Sequence, residues 1–294
     1  MRMRVNMAIK QNKILRLTED ILSRPQLITP ESYSAITSYL FKRNQGMLMQ
    51  PDDFENEEDE EKIVPSFDPE IGVGVISIKG SLSAKPVMTM CGEVGTSYQT
   101  ILEQTEEMLE AGCTTIIMDV SSGGGEAYSC FTSVDEFRSM VDSYGAKVYG
   151  FADGIAASAA YAWLCACDEV YAHPDSEVGS IGVVCAILDD SKYMDELGLK
   201  RIYVHAGDSK VPYADDGSIR PEFIADLQYK IDSLYENFVN HVAKYTGLSV
   251  EAIKKTEAKT FLSKDALSLG LINGIKTEQE FQSYVGSMIN NGGM

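Results

Sequence analysis

The sequence predicts an α/β domain built around a largely parallel sheet. Two observations support this prediction: short apolar, strand-like runs alternate with longer runs of helical periodicity, and glycines end or turn out of several of them. Strands that alternate with helices pair in parallel, because each helix carries the chain back to the end of the sheet at which the previous strand began. A chain of 294 residues is long enough to bury a sizeable core.

The first 50 residues predict a small helical segment. Apolar residues recur at helical spacing in residues 14–22, and a second helical pattern over residues 31–41 starts near Thr29 or Pro30. Residues 52–62 then hold eight acidic residues and one lysine, which supply −7 of the formal net charge of −19. Such a block of like charges is typical of a solvated linker.

These composition changes predict four parts of the chain. They are a helical N-terminal segment (1–50), an acidic linker (51–66), a main domain (67–276) and a C-terminal tail (277–294). We expect the last residues of the tail to be frayed.

The main domain begins with a strand and a helix. Residues 71–78 alternate small and branched side chains, which predicts a strand. Residues 82–96 are loop-like, and residues 98–111 have the apolar periodicity of an amphipathic helix that Gly112 ends. Residues 114–120 have the branched, apolar composition of a buried strand.

A triple glycine follows that strand. The sequence SSGGGE (121–126) stands before a helical pattern over residues 127–141. Glycine allows backbone N–H groups to point into open space at a helix N-terminus, so we expect a tight strand-to-helix turn here. No G-x-x-x-x-G-K-[ST] sequence is present, and a phosphate-binding loop is therefore not predicted.

Ser158 is the candidate nucleophile. Residues 147–152 predict a strand and Asp153–Gly154 a turn into a helix that carries this serine among small residues. A hydroxyl at the start of a helix has the local chemistry of a nucleophile. Taken alone, however, a small serine at this place is more often a residue of close helix packing.

The rest of the domain continues the alternation. Predicted strands cover residues 169–172, 179–184 and 201–205, and predicted helices cover residues 190–198 and 221–245, with a polar loop at 206–220 between the last two elements. Pro221 suits the first turn of the long helix.

Three histidines and one lysine are candidate bases for Ser158. His173 and His205 follow strands, and His241 lies in the long helix, where we expect it at the surface; no spacing singles out a Ser-His-Asp triad. A lysine acts as a base only when burial keeps its amine neutral. Lys210 is the lysine candidate, although these residues alone favour an ordinary solvated loop lysine.

Composition argues against several function classes. The net charge of −19 disfavours nucleic acid as a direct ligand. The six cysteines form no C-x-x-C pair and show no zinc spacing, so we expect reduced thiols, no metal and no cofactor. The N-terminus has no apolar stretch long enough for a signal peptide, and residues 155–166 are too few to span a bilayer, so we expect a soluble intracellular protein without a membrane partner.

Four stretches together resemble peptidase family S49, the serine peptidases related to signal peptide peptidase A. They are MDVSSGGGEA (118–127), residues 153–184, HAGDSKVP (205–212) and residues 257–273, and the resemblance covers roughly residues 71–276. It implies a crotonase/Clp-type ββα spiral that assembles as a homo-oligomer and a catalytic Ser-Lys dyad. Lys210, 52 residues after Ser158, fits the family's spacing.

The resemblance also implies roles for single residues. Ser158 would be the nucleophile and Lys210 the general base, and Ser180 would hold Lys210 by a hydrogen bond. In the family's motif the oxyanion is bound by backbone N–H groups, which here would be those of Gly124 and Ala159.

Gly123 and Gly125 would shape the oxyanion turn, and the choice of Gly124 among the three glycines stays open. One departure from the family's motifs is visible: Ser122 stands where the family usually has proline. The segment 174–181 lacks the histidine of Clp-type proteases, which disfavours a triad further.

Other stretches are similar to tailed-phage capsid maturation (prohead) proteases. They are residues 15–38, 90–92, 96–98 and 205–207. This resemblance implies an endopeptidase that cleaves scaffold, capsid or portal subunits, and sometimes itself, in the host cytoplasm or inside the immature capsid. Some members continue into a C-terminal scaffold region. Since this chain stops soon after the protease domain, we expect its scaffold to be a separate product.

Two alternatives stay open. One is a cytoplasmic bacterial protease similar to signal peptide peptidase, although those enzymes usually carry an N-terminal anchor that this sequence does not show. The other is a crotonase-like acyl-CoA enzyme or an inactive assembly module, because a glycine loop that binds an oxyanion also suits a thioester.

Overall fold

A computed structural model describes residues 24–44, 66–87, 93–187, 189, 191–200, 202–214 and 217–292. Three predicted features lie outside the described residues: the helical pattern at 14–22, the acidic block at 52–62 and the motif at 90–92.

The chain alternates short strands with helices. The strands are β1 (Gln26–Ile28), β2 (Ser66–Asp68), β3 (Val73–Lys79), β4 (Leu82–Ser83), β5 (Thr96–Ser97), β6 (Thr115–Ser122), β7 (Gly124–Glu126), β8 (Lys147–Ala157), β9 (Glu169–Ala172), β10 (Glu177–Gly179), β11 (Thr260–Leu262) and β12 (Gly274–Ile275). The helices are α1 (Pro30–Asn44), α2 (Tyr98–Glu110), α3 (Cys130–Tyr144), α4 (Ala159–Leu164), α5 (Ser191–Glu196), α6 (Pro221–Thr246), α7 (Val250–Lys254), α8 (Ser263–Ser268) and α9 (Glu278–Gly292). A 3₁₀ turn spans Asp208–Lys210.

The predicted α/β class with parallel pairing is confirmed. The larger sheet has the strand order β11-β10-β8-β6-β3-β2, and β3, β6 and β8 pair in parallel at its centre. Its ends are antiparallel, where β2 pairs with β3 and β11 with β10. The apolar strands predicted from composition are therefore the buried centre of the sheet.

β8 leads to Ser158 and changes its partner on the way. Its residues 149–152 pair with β9 and its residues 155–157 pair with β10. The predicted turn at Asp153–Gly154 is wrong, because the strand runs on to Ala157. Gly154 takes φ +85 at the change of partner, and its N–H donates to the Ser176 hydroxyl over 2.9 Å.

The triple glycine belongs to a second sheet, of order β1-β7-β4-β5. The predicted turn into a helix is wrong here too, since Gly124–Glu126 forms β7 and α3 begins only at Cys130. The physical reason is close backbone packing on both sides of β7. A Cβ at Gly125 would lie 2.0 Å from the Leu82 carbonyl oxygen, so only glycine fits between these strands.

Two clusters of apolar side chains cover the two faces of the larger sheet. In the main core, Tyr98 stacks on Trp163 with ring centroids 5.7 Å apart. On the opposite face, α9 packs Phe281 on Phe151 with ring centroids 4.7 Å apart. Most of the residues predicted as a C-terminal tail thus form a helix that lies on the sheet. The predicted division of the chain at residues 50, 66 and 276 stays a prediction.

Other secondary-structure predictions differ in part. Residues 180–184 carry only a single bridge at Val184, and residues 202–205 form no strand. The first half of α6 lies outside the core. Its predicted inward residues Phe223, Leu227, Ile231 and Leu234 are only half-buried, whereas Phe238 and Val242 are buried. Among the described helices, none combines the length and the apolar character that crossing a membrane would require.

Candidate active site

Ser158 lies at the junction between β8 and α4. Its backbone has φ +56 and ψ −118, a strained combination for a residue with a side chain. Two backbone hydrogen bonds hold it there: the Ser158 N–H donates to the Gly179 carbonyl over 2.8 Å, and the Ser158 carbonyl accepts the Ala162 N–H over 3.0 Å. The conformation is therefore set by both neighbouring elements.

The Ser158 hydroxyl is buried and unpaired. The residue is 0% exposed, and its Oγ has no hydrogen-bond partner among the described residues. An unpaired buried polar atom costs about 1–3 kcal/mol, so natural structures keep few of them. Strain and an unpaired hydroxyl at the same residue point to a functional role.

Gly124 faces Ser158 from β7. A Cβ at this glycine would lie 3.0 Å from the Ser158 Cβ and 3.0 Å from the Ala157 carbonyl oxygen. The Gly124 N–H donates to the Ser122 hydroxyl over 3.1 Å, and that hydroxyl donates to the Gly80 carbonyl over 2.6 Å. The predicted oxyanion donor thus lies beside the serine, with its N–H engaged by Ser122.

The other predicted donors and turn residues are also close. Ala159 begins α4 directly after Ser158, so its N–H is among those at the helix start without a partner inside the helix. A Cβ at Gly123 would lie 2.6 Å from the Ser32 hydroxyl of α1, and Gly125 packs against Leu82. Because the three glycines have no side chain, neighbouring segments pack closely against the backbone beside Ser158.

The structure does not bring Lys210 to Ser158. Lys210 ends an exposed 3₁₀ turn, where its own N–H donates to the Gly207 carbonyl over 3.2 Å. Ser180 is buried with φ +54, and its N–H donates to the Lys259 carbonyl over 2.8 Å. Ser180 and Lys210, both within the described part of the chain, share no hydrogen bond.

None of the three histidines forms a hydrogen bond with the Ser158 hydroxyl. The ring of His173 accepts the Asp175 N–H over 3.3 Å, and the ring of His205 bonds the nearby backbone of its own loop. The expected surface position of His241 is wrong, since this residue is only 5% exposed and its Nε2 bonds the Ala162 carbonyl of α4 over 3.0 Å. Burial lowers the pKa of His241.

The sequence does not predict that β1 lies beside Gly124 in this site. Gln26–Ile28 pairs with Gly124–Glu126, and the Leu27 carbonyl oxygen lies 2.1 Å from the place where a Gly124 Cβ would be. The only signal is a three-residue run, QLI, before Thr29–Pro30, which is too short to show a period.

One cleft of about 380 Å³ lies away from Ser158. It is lined by α5 and by the segments on either side of the Lys210 turn, including Met194, Leu199, Tyr203 and Tyr213. None of the predicted site residues lines it. We therefore place the candidate site at Ser158 and not in this cleft.

Comparison with known proteins finds peptidases. Residues 141–286 match the sequence model of peptidase family S49. The chain is 26% identical over 225 residues to the head-tail preconnector protein GP5 of Enterobacteria phage P21, covering 75% of this chain and 44% of that protein. It is 23% identical over 205 residues to the capsid assembly protease C of Escherichia phage lambda, covering 68% of this chain and 45% of that protein.

A bacterial relative is similar to a comparable degree. The putative signal peptide peptidase SppA of Enterococcus faecium is 23% identical over 202 residues, which cover 68% of this chain and 58% of that protein. The matched part of the chain spans less than half the length of each of the two phage relatives.

The family match includes Ser158 and Lys210 and leaves out the glycines of β7. The predicted resemblance to S49 peptidases is thereby confirmed: residues 141–286 of this chain match the model of peptidase family S49.

Proposed function

We propose that this chain is a serine endopeptidase in which Ser158 is the nucleophile. The observation that carries the proposal is the unpaired, buried Ser158 hydroxyl on a strained backbone, opposite Gly124. A hydroxyl held in place by the backbone needs only a base and an oxyanion site to attack a peptide carbonyl.

Lys210 is the proposed general base. The neutral amine takes the Ser158 proton as Oγ bonds the carbonyl carbon, and the resulting ammonium gives a proton to the departing amine. A water molecule that loses its proton to Lys210 then hydrolyses the ester and frees Ser158. Because Lys210 is exposed in this structure, the proposal requires the loop that carries it to close over the serine, with Ser180 as its hydrogen-bond partner.

The proposed oxyanion donors are the N–H groups of Gly124 and Ala159. The second already stands at the start of α4. The first must leave the Ser122 hydroxyl to reach a bound carbonyl oxygen, and Gly124, with φ +101, has the backbone freedom for such a rotation. Gly123 and Gly125 keep the turn narrow in this proposal.

The proposed substrates are proteins of an assembling phage head. The names of the two phage relatives, a capsid assembly protease and a head-tail preconnector, support a role in head assembly. Scaffold, capsid or portal subunits, and the chain itself, are the substrates that we propose for this role. We propose a ββα spiral of the crotonase/Clp type for the main domain and a homo-oligomer as its working form. Exposed apolar residues such as Val204, 97% exposed, support a subunit contact.

A second candidate function is a bacterial protease that removes residual signal peptides. The similarity to the putative SppA of Enterococcus faecium supports it. The two functions share Ser158 and differ in substrate. Cleavage of co-expressed scaffold or capsid protein favours head maturation, whereas cleavage of signal peptides alone favours the second function.

The first test uses a fluorophosphonate probe, which forms a covalent bond with activated serines. We expect mass spectrometry to find the probe on Ser158, and we expect scaffold processing to disappear in Ser158→Ala and in Lys210→Ala. The matched control is Lys192→Ala, which removes another exposed lysine and should keep full activity. Processing at the wild-type rate by Lys210→Ala would exclude the dyad. A chain that turns over acyl-CoA thioesters and leaves proteins intact would contradict peptidase activity.

A further inference from the structure

β1 lies between two stretches of backbone. On one side Gln26, Leu27 and Ile28 pair antiparallel with Glu126, Gly125 and Gly124. On the other side the Gln26 N–H donates to the Val184 carbonyl over 2.8 Å, and the Val184 N–H donates to the Gln26 carbonyl over 2.9 Å. β1 is thus an extended segment with backbone hydrogen bonds on both of its edges. A protein binds a peptide in the same way when the peptide adds as a strand to a sheet.

The same strand passes beside the nucleophile. A Cβ placed on Gly124 would lie 2.1 Å from the Leu27 carbonyl oxygen and 3.0 Å from the Ser158 Cβ. One residue beyond the strand, the Thr29 N–H donates to the Gly123 carbonyl over 3.0 Å. A substrate peptide and β1 cannot occupy this space together.

We propose that β1 is a built-in occupant of the peptide groove of Ser158 and keeps the site closed until a substrate displaces it. This inference rests on the proposed function, because it takes Ser158 as the nucleophile. The displacing ligand is an extended peptide with a large aliphatic side chain where Leu27 now lies, since Leu27 is 0% exposed and belongs to the main core.

The attachment of β1 is suited to release. The strand has only three residues, and no residue of α1 from Pro30 to Ser38 is buried. An ion pair between Arg24 and Glu126 spans 3.6 Å with Arg24 half-exposed, so solvent screens it strongly. β1 itself is buried, so its release exposes Gln26, Leu27 and Ile28. The exposed helix beside it and the short length of the strand are typical of segments that open without global unfolding.

The first experiment measures peptide binding in a Ser158→Ala background, where no acyl-enzyme forms. The probe is a fluorescent peptide with the sequence of residues 24–30. We expect Leu27→Asp in the chain to expel β1 and tighten peptide binding at least tenfold, as measured by fluorescence anisotropy. Ser34→Ala, an exposed change on α1, is the matched control and should leave the affinity unchanged.

A second variant covers the case in which Leu27→Asp does not fold. Gln26→Pro removes the N–H that donates to Val184 together with the Gln26 side chain, which donates to the Arg24 carbonyl, and should also raise the affinity for the peptide. Circular dichroism identifies the folded variants. Equal peptide affinity in the parent chain and in every folded β1 variant would overturn the proposal.

Hydrogen exchange gives an independent measurement on the unmodified chain. We expect the amides of residues 26–28 and 124–126 to exchange through local opening, faster than those of β6 and β8. Exchange of these amides only with global unfolding would show that β1 is a permanent strand.

The two proposals can fail separately. If β1 opens and exchanges with the peptide while Ser158 resists the fluorophosphonate, the inference about β1 stands and the proposed function fails. If Ser158 reacts while β1 stays fixed, the proposed function stands and the inference about β1 fails.

Discussion

Ser158 owes its position to the backbone and not to another side chain. A non-glycine residue with φ +56 and ψ −118 costs of the order of 1–3 kcal/mol, which the hydrogen bonds from β10 and α4 offset. The hydroxyl therefore stays in place whether or not a base is near. For this reason we expect a change at Lys210 to alter the reaction and leave the position of Ser158 unchanged.

Gly124 is the residue whose change should disturb this site most. In Gly124→Ala, the new Cβ would stand 2.1 Å from the Leu27 carbonyl oxygen at a backbone φ of +101, so β1 or β7 must move. We expect the free energy of unfolding to fall by about 3 kcal/mol or more, from backbone strain and overpacking together. Urea unfolding followed by circular dichroism measures the loss.

Gly145→Ala is the matched control for this change. Gly145 also has a positive φ, +67, but nothing lies within 4 Å of its Cβ position. Only the strain of a left-handed alanine remains there, roughly 1–2 kcal/mol. Equal losses in the two variants would show that close approach of β1 is not what requires glycine at position 124.

At the scale of elements, α6 supports the helix that follows Ser158. The buried ring of His241 bonds the Ala162 carbonyl of α4, and the ring centroid of Phe131 from α3 lies 5.0 Å from it. Asp135 and Lys244 are the charged groups nearby, and burial outweighs the raising effect of the hydrogen bond and of Asp135 on the pKa of His241. The lowered pKa favours the neutral form of His241 beneath the helix that follows Ser158.

This burial predicts a loss of stability in mild acid. Because the folded state lowers the pKa of His241, the unfolded chain takes up the proton first as the pH falls below the ordinary value of 6.5. The free energy of unfolding should therefore decrease between about pH 7.5 and pH 5.5 more in the wild type than in His241→Gln, whose amide can keep a bond to Ala162. Thermal unfolding at both pH values gives the comparison.

His205→Gln is the control for the acid effect, since His205 is exposed. It should show the pH dependence of the wild type. An identical pH dependence in His241→Gln and in the wild type would mean that another group causes the acid response.

Helices and strands whose apolar residues follow a clear pattern could be predicted from the sequence. The spacing of Ile101, Met108 and Leu109 predicts α2, and the apolar run around Ile116 predicts β6. Ser158 was found because a strand and a helix meet there. The pairing of β1 with β7 could not be found, because it joins two three-residue strands by backbone contacts that leave no pattern in side chains.

The burial of His241 and the position of the Lys210 side chain were not predicted, for different reasons. His241 follows Phe238 by three residues on a buried helix face, so helical spacing did contain a signal for its burial that the prediction ignored. Lys210 lies in a loop, where no period fixes the direction of a side chain. Its place in the family motif predicts a role but not the conformation in which that role is performed.

At the scale of the whole molecule, apolar residues gather on the part of the chain around the Lys210 loop. Ile202 is 82% exposed and Val204 97% exposed, just before the turn that carries Lys210. On α6, which follows the loop, Tyr229 is 77% exposed. Large exposed apolar residues of this kind mark sites of protein contact. A neighbouring subunit on this surface would restrict the loop and exclude water from Lys210, which a lysine base requires.

Assembly and reactivity should therefore be lost together. If the proposed homo-oligomer forms through this surface, we expect Val204→Asp to place a charge in the proposed subunit contact and shift sedimentation toward the 32.3 kDa monomer, with slower labelling of Ser158 by fluorophosphonate. Tyr144→Asp changes a tyrosine that is 56% exposed at the end of α3, and as the control it should leave mass and labelling unchanged. A Val204→Asp monomer that labels as fast as the wild-type assembly would show that Lys210 closes over Ser158 without a neighbour.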